Sequence, residues 1–275
     1  MNVAVAHDLA LKRTPSSSST SALRLAALVW FLAALIGQCI FAYYTGASYV
    51  GNVLRGDLEG MTQAMHNAYV PGEVLGNLAV AAHMMLAFAI LIGGPLQLIS
   101  SIRARFPAFH RWNGRAYLIG VVVASVAGLI MIWGRGTYSL AVQLGGTGNA
   151  VLVFVFAALA LRAALSRDFV SHRRWALRLF IAGSAVWFFR VILMAWVMTL
   201  GPVGIDFETA SGPFLEWMAF GQYLIPLAVL EGYLRAKQSP NAVVRYAMAV
   251  VLGLFTLVMC GGIVAASMGE WLALT

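Results

Sequence analysis

Charge is what this chain has least of. Only 10% of its 275 residues are Asp, Glu, Lys or Arg, against 61% that are apolar. A soluble domain carries about a quarter of its residues as charges, so a fully water-exposed surface is excluded. Cysteine is almost absent. Cys39 and Cys260 both fall in apolar runs, and no CxxC or CxxCH occurs, so neither a metal clip nor covalent haem attachment is indicated. GxSxG, HExxH and Walker A sequences are missing, which leaves the hydrolase, zinc-protease and P-loop classes without their chemistry. A net charge of +8 would suit nucleic acid in a soluble protein. No recognition motif accompanies it, and nucleic acid is not expected as a partner.

What the chain has is long apolar runs. About twenty such residues cross the hydrocarbon layer, and seven helices are predicted near 22–44, 76–99, 114–134, 149–166, 174–200, 214–234 and 245–267. The fold class is therefore all-α: a polytopic membrane protein with seven transmembrane helices. Residues 1–21, ending in Pro-Ser-Ser-Ser-Ser-Thr-Ser, read as a disordered cytoplasmic tail, and 22–275 as one transmembrane domain. Fifteen of the eighteen Lys and Arg residues lie before the first run or in alternate loops; Arg55 and Arg135 lie on the other side, and Arg190 within a helix. Short cytoplasmic loops retain basic residues, so the N-terminus is expected inside and the C-terminus outside. The basic side would then meet anionic lipid headgroups, the expected partner there. Gly93-Gly94-Pro95 and Pro226 are expected to kink the second and sixth helices. The outer 46–75 loop has room for a short interfacial helix, and Glu231 is expected to pair with Arg235.

Two basic loops share a pattern. Arg105 to Tyr117 and Arg167 to Phe180 both contain Arg-x4-His-Arg, then a Trp, an Arg three residues later and an aromatic two further on, with one residue inserted in the second copy. The histidines are 62 residues apart, which is two helices. Helices two to five are thus expected to form a four-helix core from two related hairpins, about 76–134 and 149–200, around a pseudo-two-fold axis along the membrane normal.

Polar residues inside apolar runs are the candidate sites, because each is expensive in hydrocarbon. Arg190 and His83 are expected at similar depth in the outer half. Glu216 is a candidate counter-ion and Gln222, with Gln38, a hydrogen-bonding neighbour. Together they make either an outward-facing polar site, of a transport, sensing or assembly kind, or a static salt bridge with a satisfied core histidine. The third helix carries Ala116, Gly120, Ala124 and Gly128 on one stripe, which serves close packing or leaves room for a flat cofactor.

His110 and His172 sit at matching depth on helices three and five. They are candidate ligands for one b-type haem, the sole cofactor in view, with Arg111, Arg115, Arg173 and Arg178 neutralising its propionates. The alternative is an interfacial His-Arg pair that binds lipid phosphate. His66, in the outer loop, reaches His83 only if that loop folds inward. No catalytic residue is assigned.

The stretch from His83 through Gly93-Gly94-Pro95-Leu96-Gln97 to His110-Arg111-Trp112-Asn113-Gly114-Arg115-Ala116-Tyr117 resembles the signature of a multi-pass membrane protein family known as domain of unknown function 2306. His172-Arg173-Arg174-Trp175-Ala176-Leu177-Arg178 resembles its second signature, and the resemblance covers about residues 75–235. It implies a bacterial inner-membrane protein. The core layout is also similar to that of the di-haem cytochrome b superfamily, from which this chain departs in having no histidine on its fourth helix.

Overall fold

The computed structural model describes residues 17–57, 59–63, 68–135, 138–207 and 211–271. Most of the expected tail, His66 and Glu208 lie outside them. Every extended element among the described residues is helical, as a chain in hydrocarbon requires, because a helix satisfies its own backbone. The helices are α1 (Ser17–Thr45), α2 (Val74–Leu98), α3 (Pro107–Gly134), α4 (Leu140–Leu165), α5 (Phe169–Gly183), α6 (Ala185–Leu200), α7 (Pro213–Gln238) and α8 (Ala242–Ala266). Six are long and apolar enough to cross a membrane singly, and α5 and α6 pass the same test only together.

Several boundaries move for identifiable reasons. α1 begins at Ser17, inside the expected tail, and continues through a π turn at Gly46–Val50 into Gly51–Arg55, so the outer loop's helix is an extension of the first span. α3 starts seven residues earlier than its apolar run, with Pro107 in its first turn, where a missing N–H costs nothing. α4 also starts early, because Gly145-Gly146-Thr147-Gly148 is helical. A Cβ on Gly145 would stand 2.6 Å from the Ala219 carbonyl oxygen of α7. The glycines serve close helix approach and do not form a loop.

Both prolines stand inside continuous helices. α2 continues through Pro95 to Leu98 and α7 through Pro226 to Gln238. The pronounced break lies where no proline stands: α5 and α6 are bent by 54° about Ser184.

α2 packs most extensively on α3, and α4 on α5, the pairs expected as hairpins. The contacts then run α1–α2, α2–α3, α3–α4, α4–α7, with α8 against α1 and α6. The break hands the fifth span from one neighbour to another: α5 lies on α4, whereas α6 lies on α8. One end of the bundle, at the α2–α3 and α4–α5 turns, is basic; the other carries Glu73, Asp206 and Glu216. At this acidic end Arg135 Nη2 donates to Asn77 Oδ1 at 2.7 Å and Arg135 Nε lies 3.5 Å from Glu73 Oε2, tying α3 to α2.

Candidate functional site

The polar residues expected near the acidic end make several contacts with α1 and α3. His83 Nδ1 donates to the Ala124 carbonyl of α3 at 2.8 Å. Its Cε1 lies 3.3 Å from where a Gly128 Cβ would be, and Leu86 and Ile90 cover Gly120. At Gly120, Ala124 and Gly128 the small-residue stripe on α3 is packed by α2. The Arg190 guanidinium lies 5.7 Å from the centre of the Phe41 ring and 5.9 Å from that of Tyr44, both on α1. Gln222 donates to Ala219 of its own helix, and Glu216 is exposed.

A different polar group is assembled at the break. Gln38 of α1 is 1% exposed. Its Nε2 donates to Ser184 Oγ at 3.0 Å, and its Oε1 is buried with no donor. Trp187, in the first turn of α6, has a buried Nε1 with no acceptor, and Tyr117 of α3 a buried hydroxyl with no partner. That hydroxyl stands 3.0 Å from where a Gly183 Cβ would be. Residues from α1, α3 and both halves of the fifth span thus leave unpaired donors and acceptors around residues 183–187 in an apolar interior, where each is costly. Ser184 and Trp187 carried no sequence signal, since serine and tryptophan are ordinary inside spans. Gln38 did, as an amide within an apolar run.

At the basic end, the repeated residues repeat their contacts. Arg115 lies 5.0 Å over the Trp112 ring, and Arg178 4.7 Å over Trp175, which is the geometry a Trp-x-x-Arg pair allows on one helical face. Tyr117 and Phe180, the closing aromatics, both pack against Gly94, where a Cβ would stand 2.9 and 3.3 Å from them. The glycine signature is thus explained by closeness: Asn113 donates to the Gly93 carbonyl at 2.9 Å, and Gln97 to that of His110 at 3.1 Å.

His110 is half-buried, its Nδ1 buried with no partner, and it lies within electrostatic reach of Arg103, His172 and Arg111. His172 Nδ1 donates to Ala160 at 2.9 Å. Arg111, Arg115 and Arg173 are exposed. Arg178 is held by Glu231 at 2.6 and 2.9 Å. This corrects the expected Glu231–Arg235 pair, because a planar fork on a facing helix meets both carboxylate oxygens at once. Asp168 caps α5 by accepting from the Ser171 backbone at 3.0 Å. Hydrogen bonds from the Ser171 side chain and backbone hold its carboxyl below the usual carboxylate range. Among the described residues no three His, Cys, Asp or Glu side chains are placed to hold a metal ion.

No curated protein and no solved structure matches the chain, so the likeness to the cytochrome b superfamily gains no support there. Residues 80–225, which include both signatures, the fifth-span break and Arg190, match the family described as Predicted membrane protein (DUF2306). That match covers more than half of the sequence, and the chain belongs to this family of predicted membrane proteins.

Proposed function

We propose that this integral membrane protein handles a small polar solute, as a transporter or sensor, at the seam between α1 and the broken fifth span. One observation carries the reading: the span breaks at Ser184 directly under Gln38, a buried amide with an unpaired oxygen. Discontinuous helices in membranes commonly mark binding sites, and non-helical backbone at depth is tolerated where protein or a water-lined cavity surrounds it. Arg190, six residues along α6, adds a fixed positive charge on the same seam, and intramembrane arginines are by default functional candidates. The basic end belongs in the cytosol of a bacterial inner membrane, with the N-terminus inside, so Arg190 lies toward the outer side.

Cysteine accessibility tests the proposal. In full-length protein with Cys39 and Cys260 replaced by Ala, Ser184→Cys is expected to react with a membrane-impermeant maleimide added from outside, faster than Leu28→Cys on the lipid-facing surface. Equal and negligible labelling of both would remove water access from the seam, and the solute site with it.

A second reading is a b-type haem between His110 and His172. It is favoured by the nearness of the two rings, which lie within electrostatic reach of each other, and by the bond from His172 Nδ1 to Ala160, which leaves Nε2 available. A Soret band in protein from haem-replete cells, lost in His172→Ala, supports it; its absence from the native protein rejects it.

A further inference from the structure

Arg245, four residues into α8, is only 3% exposed. Its Nε donates to Ser19 Oγ of α1 at 2.9 Å, and its Nη1 donates to the Ser239 carbonyl after α7. Its Nη2 is buried with no partner. Both partners are neutral, and neither ion pair among the described residues involves Arg245. A guanidinium cannot shed its proton to escape this cost. A buried cation with a free donor is expensive until an anion completes it.

More cations converge on the same corner. α1, α7 and α8 meet there through Leu23, Ala236, Met248 and Leu252. Arg24 follows Leu23, Lys237 follows Ala236, and both side chains are exposed. Lys237 lies within electrostatic reach of Arg24 and of Arg173 at the start of α5. Glu231, the acid of α7 at this end, is already occupied by Arg178. Four helices therefore present like charges to one another at the basic rim, which is unfavourable unless something negative sits among them.

The surface leading away from this corner is apolar. Leu25, Leu28 and Val243 are exposed. A groove between α1 and α8, lined by Val29, Leu32, Ile36 and Val264, begins five residues beyond Arg24, about 7.5 Å along the helix. Charge at the rim and an apolar track beside it match a phosphate headgroup joined to acyl chains, and free phosphate has no use for the track.

We infer that this corner binds an anionic phospholipid, with a headgroup phosphate on the exposed Arg24 and Lys237 and completing the unpaired Arg245 Nη2 beneath them, and an acyl chain along the α1–α8 groove. The inference is independent of the seam proposed above.

The test uses the full-length protein, delipidated in detergent. It is titrated with diphosphatidylglycerol, phosphatidylcholine or inorganic phosphate while the thermal midpoint and lipid retention by native mass spectrometry are followed. Diphosphatidylglycerol is expected to raise the midpoint saturably and to remain bound. Each basic residue near an anionic surface contributes about fivefold, so Arg24→Gln with Lys237→Gln is expected to weaken binding about 30-fold. Arg103→Gln with Arg105→Gln, equal in charge at the same end, is expected to leave it unchanged. Both pairs are on exposed side chains, so neither depends on the fold surviving loss of Arg245. Equal weakening by the two pairs, or equal protection by phosphatidylcholine, overturns the inference. Full protection by inorganic phosphate alone assigns the corner to a free anion and overturns the lipid.

Discussion

Gly262 decides how closely α8 approaches the fifth span, and adding one methyl there should be costly. A Cβ at Gly262 would stand 2.1 Å from the Val191 carbonyl oxygen and 2.9 Å from its carbon. Both obstacles are backbone of α6, so no side-chain rotation relieves them. Ordinary carbon–oxygen contact needs about 3.3 Å, so the helices must part by roughly 1 Å. Overpacking of this kind costs about 1–3 kcal/mol, against about 1 kcal/mol regained from the better helix propensity of alanine. Because the obstacle is rigid we place the cost at the upper end, which leaves a net loss of about 2 kcal/mol. At roughly 2–4 °C per kcal/mol for a chain of this size, Gly262→Ala should lower the thermal midpoint in detergent by about 4–8 °C. Gly253 is the internal control: it lies in the same helix with nothing within 4 Å of a Cβ, so Gly253→Ala should be neutral or stabilising by up to about 1 kcal/mol. Val191 adjoins Arg190, so Gly262→Ala should also raise Ser184→Cys labelling. If the two glycine variants melt together, α8 does not rest on α6 as described and the seam is not held shut there.

The Arg178–Glu231 pair joins α5 to α7 through two hydrogen bonds. Arg178→Gln and Glu231→Gln should each destabilise, and the double variant should show coupling of about 1–2 kcal/mol in chemical unfolding; strictly additive losses would mean that the pair does not act as one. Arg190→Leu should lower the midpoint more than Arg190→Lys, because a cation over two rings contributes about 0.5–2 kcal/mol and lysine keeps the charge though not the planar stack; equal losses would count against the ring contacts. Asp168 has its carboxyl held below the ordinary range by Ser171, so its stabilisation is present above the unfolded-state value and disappears as pH falls through the lower folded-state value. Asp168→Asn should therefore flatten the acid limb of hydrogen exchange at the start of α5, and an unchanged limb would contradict that cap.

Long apolar runs were enough to read the all-helical, multi-pass class, because the bilayer admits few backbone solutions. The Gly-Gly-Pro-Leu-Gln and His-Arg-Trp-Asn-Gly-Arg stretches were equally legible as a family signature. Their reason lies in tertiary contact: Asn113 and Gln97 bond across the α2–α3 turn, and Tyr117 and Phe180 close on Gly94. Glycine at 145–148 looked like a break, since helix propensity is a local property. Close packing at Ala219 overrode it. The bend at Ser184, the unpaired oxygen of Gln38 and the choice of Arg178 as partner of Glu231 depend on which helices face each other. Periodicity cannot specify that in a chain apolar on nearly every side, because hydrocarbon and protein interior select the same residues.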